Sequence, residues 1–130
     1  MYTTTTRDIQ VTVSPFFLED HSIPEESRFV WAYRVHIENH GADAVRLLAR
    51  HWILTDSAGR VQEVRGAGVV GEQPLLRPGE SFDYTSGAPL AAPSGLMRGS
   101  YQMESEDGER FEIEIPAFSL DSPYERPQLN

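Results

Sequence analysis

Apolar and polar residues alternate along most of this chain with a period of two, the spacing of half-buried β-strands. The clearest run is 28–39, where Phe29, Trp31, Tyr33, Val35 and Ile37 share one face and Arg34, His36 and Glu38 share the other. Before it, Ile9, Val11 and Val13 alternate with Gln10 and Thr12, and Ser14-Pro15 is expected to end that strand. Val45 to Asp56 reads as the partner strand, turned by Asp56-Ser57-Ala58-Gly59 onto Val61–Val64. Ser81 to Ser86 alternates through Phe82 and Tyr84. A last hairpin joins 99–105 to 110–115 across Asp107-Gly108, a type I′ signal, with Pro116 as its stop. Residues 19–27 and 88–95 read as loops, no stretch carries the 3.6-residue period of a helix, and no unit repeats.

This pattern predicts an all-β protein: an antiparallel β-sandwich of seven to eight strands, of immunoglobulin or fibronectin-III type, with a small closed barrel as the alternative. At 130 residues the chain makes one domain. Residues 8–120 are assigned to the sandwich, 1–7 to a flexible N-terminal arm and 121–130 to a C-terminal tail. There is no cysteine, so aromatic residues such as Phe29, Trp31 and Phe111 must hold the core without a disulfide.

One stretch breaks the alternation. Arg65–Gly87 holds five of the ten glycines, and within it Gly66-Ala67-Gly68-Val69-Val70-Gly71 matches the G-x-G-x-x-G spacing of dinucleotide sites. That chemistry needs a helix after the glycines to carry the pyrophosphate, and Pro74 and Pro78 leave no room for one. Two readings stay open. Gly66, Gly68 and Gly71 permit positive φ, so their amides could converge as an anion nest flanked by Arg65 and Arg77. Alternatively the stretch is a bulge or crossover without a ligand, in which Val69 and Val70 are either packed inward or exposed as a contact patch for a partner. The bulk of the two valines favours the second.

Charge and missing residue types narrow the function. Twenty acids against eleven bases give a net charge of −9, which disfavours nonspecific nucleic-acid binding and anionic membranes. Every base is arginine, so P-loop and Schiff-base lysines are excluded, and the lack of cysteine removes thiol catalysis and Cys-ligated metals. No G-x-S-x-G elbow or triad pattern appears, and the chain is expected to be non-enzymatic and to carry no cofactor. No signal-peptide pattern or long apolar run is present, so the cytoplasm is the expected location. His36, Glu38 and His40 could ligate a transition metal from one strand face, but Arg34 on that face opposes a cation and a solvated surface is the better reading. His51 reads as a packed structural histidine. The acids Glu104, Glu106, Asp107, Glu109, Glu112 and Glu114 could hold Mg²⁺ through water, though such charge more often protects a strand edge.

Ala49-Arg50-His51-Trp52, the stretch 66–87, Gly95–Met103 and Ile115–Phe118 together strongly resemble the ApaG family, and Ile9–Val13 and Phe29–Ile37 are similar to it as well. The resemblance implies a fibronectin-III-like sandwich. It also implies an association with cobalt and magnesium efflux or resistance, and, from the family's eukaryotic branch, a protein-interaction role with an unknown protein partner. It supplies no catalytic residues. Gly66, Gly68 and Gly71 are the positions at which it implies a phosphate-bearing ligand.

Overall fold

The alternating runs pair into two antiparallel sheets that stack as a sandwich. The computed structural model describes residues 1–124, in which the strands are β1 (Tyr2–Thr6), β2 (Ile9–Phe17), β3 (Phe29–Asn39), β4 (Val45–Asp56), β5 (Val61–Ala67), β6 (Leu75–Leu76), β7 (Ser81–Leu90), β8 (Gly95–Ser105) and β9 (Arg110–Leu120). One sheet runs β1-β2-β3-β7 and the other β5-β4-β8-β9, with β6 paired to the start of β4. Residues 19–27 hold only two short 3-10 turns.

Several local expectations need correction. Residues 1–7 are not a loose arm: Tyr2–Thr6 pair with Ile9–Val13, and the count rises to nine strands with β1 and β6. The threonines of 3–6 suit an edge strand, being β-branched with a hydroxyl for the wet side. Pro15 does not end β2. Past Val13 that strand has only β3 beside it, so a missing N–H there breaks no bond to β1. Nor does Pro116 stop β9, which runs on to Leu120 because Pro116 sits where the β8–β9 register shifts around Gly99. A Cβ on Gly99 would lie 2.1 Å from the His51 carbonyl oxygen, so this bulge demands glycine. Asp107-Gly108 forms a three-residue loop instead of a type I′ turn: only Gly108 has positive φ, and its N–H donates to Ser105 O. Of the 121–130 tail, 125–130 lie outside the described residues.

Inward-facing residues of both sheets form a single core. Its centre is an aromatic group in which Trp52 meets Tyr33, Tyr101 and Phe118 at centroid distances of 5.3, 6.4 and 6.0 Å. Phe29 and Trp31 are buried as expected, but Phe111 is only half-buried, with the Arg7 guanidinium 4.0 Å above its ring. Asn39, buried at the end of β3, donates to the carbonyls of Asp43 and Leu76 and accepts from Gly41 N–H, tying three segments together.

The two flanks of the sandwich differ. On one, β9 lies against β1 and β2, and Tyr2 Oη meets Ser119 Oγ at 3.0 Å while Arg7 pairs with Glu109 at 2.7 Å. On the other, the terminal strands are β5 and β7, and no comparable contact joins them. This open flank positions the candidate site.

Candidate functional site

The glycine-rich stretch folds as a small hairpin at the end of β5. Gly68 N–H donates to Leu48 O at 2.8 Å, then Val69 and Glu72 exchange backbone bonds of 2.8 and 2.9 Å around Val70-Gly71. Positive φ at both central residues, +42° and +82°, identifies a type I′ turn. Gly68 has φ +63°, and a Cβ there would sit 2.3 Å from Glu72 O. Gly66 does not need positive φ. It lies in the β4–β5 ladder opposite Arg50, and a Cβ on it would strike the Arg50 guanidinium at 2.7–2.9 Å. Of the two valines, Val69 is fully buried in the core and Val70 is 57% exposed. A β-branched residue at positive φ is a strained choice where asparagine or glycine is the usual one.

Neither flanking arginine turns toward this loop. Arg65 pairs with Glu63 at 3.8 Å and Arg77 with Glu80 at 3.8 Å, both largely exposed. The arginine that does reach it is Arg50, whose Nη1 donates to Ala67 O at 3.1 Å and Gly68 O at 3.0 Å. Gln73 Nε2 adds a bond to Leu48 O at 2.8 Å, and Arg46 holds Gln73 O at 2.8 Å. The loop's polar groups are therefore engaged largely with their own surroundings. The amides of Gly68, Val69 and Glu72 donate to carbonyls and do not converge on an open point.

Arg50 also borders a cleft of about 340 Å³ at the open flank, with Tyr33, Trp52, Ser86, Val64 and Met97 among its walls. Tyr101 packs against Trp52, and its hydroxyl is hydrogen-bonded to that of Tyr84 in the core. Burial pushes the hydroxyls of Tyr33, Tyr84 and Tyr101 above the usual tyrosine value, and the Arg50 charge pulls all three back down. Alternation along β4 puts Arg50 and Trp52 on the inner side; nothing in their spacing pointed to a cleft, although both lie in Ala49-Arg50-His51-Trp52.

The remaining candidates disperse. His36 Nδ1 meets Asp83 at 2.9 Å, on the carboxylate oxygen that Arg34 approaches at 3.5 Å, while His40 pairs with Glu38 at 3.0 Å. Among the described residues no three His, Cys, Asp or Glu side chains converge as a ligand set. The acids of the last hairpin are engaged locally: Glu104 with Arg110, Glu109 with Arg7, Glu106 with Ala44 N–H and Asp107 with Glu109 N–H. His51 Nε2 is buried, 3.7 Å from Glu63. No helix among the described residues is long and apolar enough to cross a membrane.

Residues 19–105 match the family model of the ApaG domain. The chain is 65% identical over its full length to Protein ApaG of Paramagnetospirillum magneticum and 63% identical to that of Rhodospirillum centenum, each covered completely. Its fold is similar to the crystal structure of the putative ApaA protein from Bordetella pertussis, with a TM-score of 0.87 at 49% identity, covering 91% of this chain and 96% of that one. Full-length relatives at this identity and a domain match from the first 3-10 turn to the end of β8 lead to one assignment: the chain belongs to the ApaG family.

Proposed function

We propose that this ApaG-family chain is a non-catalytic binding module of the cytoplasm that docks a partner protein through the hairpin tip carrying Val70. Any contribution to cobalt and magnesium efflux then runs through that partner, since His36, Glu38 and His40 do not fit a common cation. The observation that carries the reading is the conformation of Val70: an exposed valine at φ +42° costs stability, and such strain is retained where the side chain has work at the surface. Against a phosphate nest at Gly66, Gly68 and Gly71 stands the use of the Gly68, Val69 and Glu72 amides in local pairing. The test is a photo-crosslinking residue placed at position 70 in living cells, with the likewise exposed Leu96 as control. A discrete adduct from position 70 alone is expected. No adduct there, or the same pattern from both positions, contradicts the reading.

A further inference from the structure

We propose that the cleft at the open flank, away from the hairpin tip, is a binding site for a small organic acid: one carboxylate on a flat, apolar body. Its volume of about 340 Å³ is at the lower end of small-molecule sites, enough for a single ring and its acid group. Its charge is what sets it apart. In a chain of net charge −9, the cleft is lined by one arginine and no acid. Arg50 is half-buried, and among the described residues it pairs with no carboxylate; its Nη1 is spent on two carbonyls, while Nη2 and Nε are left without a partner. A guanidinium edge of two N–H groups is the geometry that a carboxylate accepts in bidentate fashion.

A second unpaired donor belongs to another residue that lines the cleft. Trp52 is 2% exposed and its indole N–H has no acceptor among the described residues, whereas the other buried tryptophan, Trp31, donates to Asp121 O at 2.8 Å. A buried donor left unpaired costs about 1–3 kcal/mol, and native chains rarely leave one without a use. The indole nitrogen is shut off from water, so reaching it requires the lining to part slightly, which makes its resonance a sensitive reporter. Both unpaired groups are donors, so the complement is an acceptor. Trp52, Val64, Met97 and Pro89 give the wall an apolar side that suits a flat hydrocarbon face, next to the polar Gln62 and Ser86. A doubly charged phosphate would find only one cation here against a negative overall field. By comparison, the larger concavity on the outer face of β4, β8 and β9 sets Arg98 beside Glu112 and Glu114, and no net positive charge remains to recruit an anion.

The test is a titration followed by ¹H–¹⁵N spectra, with benzoate, benzamide and inorganic phosphate as separate probes of the intact chain. Benzoate is expected to move the Trp52 indole resonance and the Ser86 and Gly87 amides saturably, with a Kd at or below about 1 mM. Benzamide should bind about tenfold more weakly or worse, and phosphate should not shift these signals. In Arg50→Met the preference for benzoate over benzamide should vanish. Because Arg50 also braces the hairpin, the benzoate–benzamide comparison on the unaltered chain keeps the test independent of that variant's folding. No saturable movement of the Trp52 indole up to about 10 mM benzoate, or equal affinity for benzamide, overturns the proposal.

Discussion

The glycine hairpin and the open-flank cleft share one side chain, and they use it in opposite ways. Toward the hairpin, Arg50 spends Nη1 on the carbonyls of Ala67 and Gly68, so the loop that carries a ligand-like sequence has these carbonyls and the Gly68, Val69 and Glu72 amides paired within the protein. At the cleft, which both residues line, Arg50 Nε and Nη2 and the Trp52 indole have no acceptor among the described residues. Glycine spacing reports where the backbone must bend or be approached closely. It does not report unsatisfied hydrogen-bonding capacity, which is what marks a site for a ligand.

The sharpest way to break the hairpin side of this comparison is Gly68→Ala. The added Cβ would meet Glu72 O at 2.3 Å with φ already at +63°, so a loss of about 3 kcal/mol or more is expected from denaturant unfolding. An unchanged midpoint would mean that the turn is not held as described.

The core behind the cleft's Trp52, where Tyr101 packs, is tested by pH. Burial, the largest cause, holds the Tyr84 and Tyr101 hydroxyls above the ordinary value of 10.0, and these groups are neutral when protonated. The unfolded chain loses both protons near pH 10 while the folded chain keeps them. Their contribution is therefore complete below pH 10 and is lost as pH rises toward the folded values, at up to about 1.4 kcal/mol per pH unit for each tyrosine. Absorbance of tyrosinate should appear for these residues together with unfolding; ionisation at pH 10 in the folded protein would contradict it.

Gly66→Ala probes the link between the two regions. The Cβ displaces the Arg50 guanidinium, whose side chain can yield, so a smaller loss of about 1–2 kcal/mol is expected, together with a change in Trp52 fluorescence. A stability loss without a fluorescence change would uncouple the hairpin from the cleft. The smallest effect has the opposite sign: Val70→Asn should stabilise by about 0.5–1 kcal/mol, because asparagine tolerates positive φ at the first central position of a type I′ turn. A destabilised Val70→Asn would remove the strain argument for a functional valine.

Most of the fold was legible because alternation is a local signal: the runs through Phe29–Ile37 and Val45–Leu54 fixed both their strands and their buried faces. β1 was missed because threonine repeats carry no apolar alternation, and its pairing to β2 is what orders it. Pro15 and Pro116 misled because a proline ends a strand only where its missing N–H faces a partner. At the site, positive φ at Gly68 and Gly71 was readable from spacing, but the neighbour was not. Arg65 and Arg77 are close in sequence, whereas Arg50 arrives through the β4–β5 ladder, a relation that only register reveals.

The most direct test of the claim that the hairpin's amides are internally engaged is a titration of Gly66, Gly68, Val69 and Gly71 amide resonances with inorganic phosphate. These resonances are predicted to show no common saturable shift up to about 10 mM phosphate. A shared shift that saturates below about 1 mM would establish an anion nest at the hairpin and contradict the account.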